Sequence, residues 1–199
     1  RHEAVHEIDG WDDLRRRLQP DRRCFAFFHP QLPDEPLIFV EVALVPEMSG
    51  TIAPLIDKKS PALPADAFRV AVFYSISNCQ PGLRGVSLGH WLIKRVAEQL
   101  QRELPQVRTF CTLSPIPGLM DWLLRAGDGL AFAGWPAAAA ERAMHALAVL
   151  REATGDDLSR LAHSGGAQTG RQVAQALSRL AAHYLIHHSV HPAGDPVAR

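Results

Sequence analysis

Between Phe68 and Leu113 the spacing of apolar residues changes period twice, and that change constrains the fold more than any other feature of the chain. Phe68–Ser77 (FRVAVFYSIS) carries the β-branched and aromatic residues of a strand. From Leu88 to Leu104 the apolar residues fall at Leu88, Trp91, Leu92, Val96 and Leu100, the stripe of an amphipathic helix. Pro105 stops that helix, and Val107–Leu113 returns to strand character. Strand, glycine-rich turn, helix, strand is a βαβ-like unit, with the turn entering the helix at its N-terminus.

The flanks extend this pattern. Trp11–Leu18 reads as a short amphipathic helix, with Asp12 and Asp13 in the first turn, where the helix dipole favours carboxylates. Cys24–Phe28 is a compact apolar and aromatic run ending at His29-Pro30, and Leu37–Val45 is a strand interrupted by Glu41. Pro30, Pro33 and Pro36 predict a hairpin-like loop between those runs, and Pro61 and Pro64 predict another. Beyond a helix near Met120–Leu124, Pro136–Leu150 is Ala-rich and helix-forming, Gly165–Gly170 is a loop, and Gln172–His187 is amphipathic, with Val173, Leu177, Leu180 and Tyr184 on one stripe. The expected class is α/β (α+β), with helices accumulating towards the C-terminus.

Composition removes several classes of function. Lys and Arg number 21 against 21 Asp and Glu, so no charge excess points to nucleic acid or an anionic membrane. The longest apolar runs, such as Leu37–Val40, fall far short of the ~20 residues of a membrane span. Three cysteines (Cys24, Cys79, Cys111) without CxxC spacing argue against a disulfide framework or a cysteine zinc site and suit a reducing compartment. At 199 residues the chain fits one domain, or a domain plus a small appendage. It opens on Arg1 and closes on Arg199, so both ends read as cuts from something longer.

Two motifs carry chemistry. Gln80–Gly89 (QPGLRGVSLG) holds three glycines, which let the backbone adopt conformations closed to other residues and a ligand approach closely. The free N–H groups and dipole of the following helix make a phosphate site, to which Arg84 adds a charge-assisted contact. The spacing is neither a Walker A loop nor GxGxxG. It looks like the Arg/Gln-x-x-Gly-x-Gly/Ala pyrophosphate loop of GNAT acyltransferases, and a plain strand-to-helix turn fits it equally well. The second motif is Leu113-Ser114-Pro115-Ile116-Pro117-Gly118. Pro115 holds Ser114 extended, placing a hydroxyl at the C-terminal end of a strand, the ligand crevice of open α/β sheets. A serine cap or a structural proline turn is the alternative.

In order and spacing these segments resemble malonyl-CoA decarboxylases. The resemblance is carried by Phe73-Tyr74-Ser75-Ile76-Ser77, Gly82-Leu83-Arg84-Gly85-Val86, Leu92-Ile93-Lys94-Arg95-Val96, Leu100-Gln101-Arg102-Glu103 and Leu113–Gly118, with Glu35-Pro36-Leu37-Ile38 and Val42-Ala43-Leu44 upstream and Asp195-Pro196-Val197-Ala198 downstream. It covers nearly the whole chain and is densest over Phe73–Gly118.

The resemblance implies a GNAT-like acyl-CoA-binding fold: a mixed central sheet flanked by helices, strand-rich over about 20–125 and helical over about 126–190. The helical N-terminal oligomerisation domain of family members is not represented. The coenzyme A loop maps onto Arg84, Gly85, Val86, Ser87, Leu88, Gly89 and His90, and the catalytic serine onto Ser114. Ser114 would hydrogen-bond the malonyl carboxylate or thioester and accept a proton. The family's proton-donating histidine belongs to an Asn/Asp-Pro-Val-Ala-x-Phe-His stretch of which Arg199 is the x. His187, His188 and His191 do not replace it, and as metal ligands they lack a clear partner set. Malonyl-CoA would be converted to acetyl-CoA and carbon dioxide without a metal or redox cofactor, the thioester carbonyl being the electron sink. A cytoplasmic, oligomeric protein is expected. The rivals are an N-acyltransferase on the same fold and a non-catalytic acyl-CoA-binding module.

Overall fold

The computed structural model describes residues 3, 5–83, 86, 88–125, 132, 135–162 and 170–187. The chain forms two compact units, Arg1–Ser114 and Pro115–Arg199. In the first lie helices α1 (Trp11–Arg17), α2 (Ala53–Ile56) and α3 (Leu88–Glu103) and strands β1 (Arg22–His29), β2 (Leu32–Val45), β3 (Val70–Asn78) and β4 (Thr109–Thr112). In the second lie helices α4 (Leu119–Arg125), α5 (Ala137–Thr154) and α6 (Arg171–His187). No helix among the described residues is long and apolar enough to cross a membrane.

The sheet order is β1-β2-β3-β4. β1–β2 and β2–β3 are antiparallel, and β3–β4, joined through α3, is parallel. This mixed α/β unit agrees with the class expected from the sequence and is compatible with a GNAT-like arrangement. Leu92, Val96 and Leu100 of α3 are buried against Ile38, Val40, Val42, Ala71 and Phe73. On the opposite face Leu55, with Ile52 and Ile56 around it, covers Ala43, Val70, Val72 and Tyr74. A β-bulge opposite Glu41–Val42 inserts Tyr74, since Val42 pairs with Phe73 and Glu41 with Ser75. Phe73 and Ile76 therefore both pack on the α3 side, while Tyr74 joins the other core.

Two expectations change. The predicted loop over Pro30–Pro36 is instead a tight hairpin at Pro30-Gln31, because β2 starts at Leu32. Its pairing there is irregular, with Phe28 opposite Pro36 and His29 opposite Leu32. β3 joins β2 only from Ile38 onward, so Pro33 and Pro36 sit where β2 has one paired neighbour and a missing N–H is tolerated. Helix α1 also departs from the amphipathic pattern. It buries Asp13, Arg16 and Arg17 and leaves Trp11 81% exposed and Leu18 63% exposed.

The charges that α1 buries are paired. Arg17 Nε donates to Asp13 Oδ1 at 2.7 Å and Arg17 Nη1 to Glu41 Oε2 at 2.9 Å. Arg16 grips both oxygens of Asp21, at 2.8 and 3.0 Å, and Arg22 donates to Asp21 and to the Leu55 carbonyl. Bidentate geometry and full pairing are what make buried guanidinium groups tolerable. In the second unit Trp122, Leu123, Leu147, Leu150, Leu180 and Tyr184 form the core, and Gly155 caps α5 in the left-handed conformation.

Candidate active site

The β3–α3–β4 crossover brings three chain segments to one edge of the sheet. β3 and β4 run parallel, so their C-terminal ends share that edge. The turn after β3 and the N-terminus of α3 lie there by connectivity, and Ser114 follows β4 at the same edge. The last β3–β4 pair is Phe73–Thr112, extended by Leu113 N donating to the Phe73 carbonyl at 2.8 Å. β3 continues through Tyr74–Asn78, where among the described residues the ladder pairs it with β2 alone. The sheet therefore opens beside Ser114, whose side chain is exposed.

The turn after β3 is only partly described. A single 3-10 turn, Pro81–Leu83, leads into it, and Leu83 N, Val86 N and Leu88 N donate to the Gln80, Leu83 and Val86 carbonyls. Arg84, Gly85 and Ser87 lie outside the described residues. Val86 is exposed, and Leu88, Gly89 and His90 form the first turn of α3, with His90 exposed. N–H groups of a first helical turn lack partners within the helix, and that of Leu88 is taken by the Val86 carbonyl.

The glycines act differently from one another. A Cβ on Gly89 would come within 3.3 Å of Ile76 Cγ2, so this glycine lets α3 approach β3 closely. Gly82 stands in open space with no positive φ, and its position demands no special freedom. On the serine turn, Gly118 has φ 75 and alone among these residues requires the left-handed region.

A polar layer lies on the sheet face away from α3. Ser75 Oγ donates to Glu3 Oε2 at 2.7 Å. Burial pushes the Glu41 carboxyl up, with the Arg17 charge opposing it. Burial and the Glu41 charge push the Tyr74 phenol up. Burial also pushes Asp13 and Asp21 up, but the hydrogen bonds and charges of the arginines outweigh it and hold both carboxyls below their usual value. His6 is held low by burial, against the pull of Glu3. In the sequence Glu41 shows only as a lone acid within the apolar run Leu37–Val45, the one signal of this layer. The described residues contain no group of three or more His, Cys, Asp and Glu side chains able to hold a metal. His188, His191 and the His187 side chain lie outside the description.

Two shallow cavities of unit 1, of about 350 and 450 Å³, line α1. Their walls are Trp11, Leu14 and Leu18 in one and Arg15, Lys58 and Lys59 in the other, and neither includes Ser114 or the loop.

In open α/β sheets ligands bind beyond the carboxyl ends of parallel strands, the end of this mixed α/β unit where Ser114 and the turn into α3 follow their strands. The malonyl-CoA decarboxylase C-terminal domain family matches residues 1–199, and the chain belongs to that family. The mitochondrial malonyl-CoA decarboxylase of Anser anser anser is 48% identical over 124 residues, 61% of this chain and 25% of its own length. That of Mus musculus is 47% identical over the same shares. The crystal structure of malonyl-CoA decarboxylase from Rhodopseudomonas palustris is 43% identical with a TM-score of 0.72, covering 99% of this chain and 45% of that one. The Agrobacterium vitis structure gives 43% and 0.71, over 98% and 45%. The chain thus spans under half the length of these solved relatives and about a quarter of the curated ones.

Proposed function

We propose that this domain decarboxylates malonyl-CoA to acetyl-CoA and carbon dioxide through a thioester enolate. The observation that carries the reading is that Ser114 and the turn into α3 follow the parallel strands β4 and β3 at the same end of the sheet. Losing the carboxylate as carbon dioxide leaves the pair of electrons of the broken C–C bond on the α-carbon, delocalised into the thioester carbonyl. A general acid, the role that the family resemblance gives to a histidine of the full protein, then delivers a proton to that carbon. Catalysis needs a donor aimed at the developing oxyanion and a binding site that places the acyl end beneath it.

The N–H groups at the start of α3, with Arg84, Gly85, Val86, Ser87, Leu88, Gly89 and His90 as the loop, hold the pyrophosphate of coenzyme A. Ser114 Oγ donates a hydrogen bond to the malonyl carboxylate or thioester oxygen. No metal or redox group enters, because the thioester accepts the electrons. The coenzyme A moiety belongs to the substrate. The protein works as a homo-oligomer without nucleic acid or membrane. The Ala/Arg-rich composition favours cytoplasm and the cysteine usage suits a reducing compartment; the goose and mouse relatives are named as mitochondrial.

The test is Ser114→Ala in the full protein. Removing one oxyanion donor lowers kcat by about 100-fold or more, with coenzyme A affinity retained. Decarboxylation at a near-normal rate would remove Ser114 from the mechanism.

A further inference from the structure

Ser114 reaches the open end of the sheet from the last rung of the β3–β4 ladder. Leu113 N donates to the Phe73 carbonyl at 2.8 Å, and Ser114 is the next residue. The place of Ser114 therefore follows that of Phe73. Directly after Phe73, β3 loses regular pairing on both sides among the described residues. β4 has left it, and the bulge at Tyr74 interrupts its ladder with β2. Pairing with β2 resumes at Ser75, opposite Glu41, and continues to Asn78.

A side-chain bond supports the strand at this weak point. Ser75 is 2% exposed, and its hydroxyl lies 2.8 and 2.7 Å from the two carboxyl oxygens of Glu3. Glu3 is itself fixed. Its Oε1 also accepts from Val5 N at 2.7 Å and His6 N at 2.9 Å, which closes a tight turn around the carboxyl group. The Glu7 carbonyl accepts from Arg17 Nη2 at 3.3 Å, and Arg17 is held in turn by Asp13 and Glu41. Glu3 and Glu7 are thus both tied to the same sheet face, one through Ser75 and the other through the buried ion pairs.

We infer that Glu3 is a positioning residue for decarboxylation: by holding Ser75 it fixes β3 just past the Phe73 rung and so sets the direction of the Ser114 hydroxyl. This rests on the role of Ser114 proposed above. Glu3 acts through the strand. Beyond Ser75 the regular pairs with β2 carry β3 to the turn, so the tie bears on Ser114 more than on the coenzyme A end. Misplacing a catalytic group by a fraction of an ångström costs rate while leaving substrate binding largely intact.

The experiment compares steady-state decarboxylation of malonyl-CoA by the full protein carrying Ser75→Ala, Glu3→Ala, Glu3→Gln, Leu55→Val, and Ser114→Ala with and without Ser75→Ala. Glu3→Gln keeps an oxygen that accepts from Ser75. Leu55→Val loosens the same sheet face, where Leu55 packs with Tyr74, without touching the tie. Ser75→Ala and Glu3→Ala are each expected to lower kcat per folded molecule about tenfold, with KM changed less than about twofold. Glu3→Gln is expected to stay within about threefold of wild type. Leu55→Val is expected to lower the melting temperature and leave kcat per folded molecule unchanged. On the Ser114→Ala background, Ser75→Ala is expected to change the residual rate by less than about twofold. Wild-type kcat for Ser75→Ala and Glu3→Ala, the same fold-loss with and without the Ser114 hydroxyl, an equal loss in Leu55→Val, or a Glu3→Gln protein as slow as Glu3→Ala would overturn the inference while leaving Ser114 in place. A normal rate for Ser114→Ala would instead overturn the reading on which it rests.

Discussion

Helix α3 turns Leu92, Val96 and Leu100 onto the sheet, whereas α1 turns Asp13, Arg16 and Arg17 inward and leaves Trp11 and Leu18 outside. The first is held by apolar area removed from water, a non-directional force of about 25 cal/mol per Å². The second holds directional ion pairs, whose attraction offsets the cost of desolvating the charges at Asp13 and Asp21 but not at Glu41. Apolar packing tolerates exchange of similar side chains. A buried charge network tolerates almost none, because removing one member strands the rest. The two helices therefore respond differently to mutation and to pH.

The largest expected effect is at Arg17. Arg17→Met leaves Asp13 and Glu41 without their shared cation and costs about 3–5 kcal/mol in chemical unfolding. Adding Asp13→Asn and Glu41→Gln recovers part of that loss, since no charge is then stranded. A loss from Arg17→Met below about 1 kcal/mol would show that the network contributes little. Exchange of Leu100 for Met on α3 costs less than about 1.5 kcal/mol.

The pH dependence is a smaller effect. Asp13 and Asp21 have folded pKa values below their unfolded ones. Their contribution is present above the unfolded aspartate value of about 3.9 and is lost as pH falls below it, through the lower folded values. Glu41 is raised, so its sign is opposite: it favours the folded state in acid and costs stability as pH rises through its folded value. The acid limb of the stability curve should flatten in Asp21→Asn, whereas Leu100→Met should shift the whole curve without altering that limb. An unchanged acid limb in Asp21→Asn would separate the network from acid unfolding.

The same contrast explains what could be read from the sequence. The β3–α3–β4 unit was readable because strand and helix periods differ and one face of α3 is apolar. The inward face of α1 was not, because its partner Glu41 lies 24 residues from Arg17 and no local pattern announces the pair. Three prolines suggested a loop where β2 in fact runs, since one-sided pairing removes the penalty that makes proline a strand breaker. At the site, Pro115 marked the Ser114 turn correctly as following β4. Conformational freedom is not what the described loop glycines supply: Gly89 serves helix–strand packing and Gly82 needs no unusual backbone. The bond from Ser75 to Glu3 leaves no local signal, because it spans 72 residues.

The cofactor end of the site is tested most directly by calorimetric titration of coenzyme A into the full protein and into an Arg84→Ala, Gly85→Val double variant. Loss of one charge-assisted phosphate contact and obstruction of the loop should weaken binding about tenfold or more. Equal affinity in the two proteins would contradict the placement of coenzyme A at the N-terminus of α3.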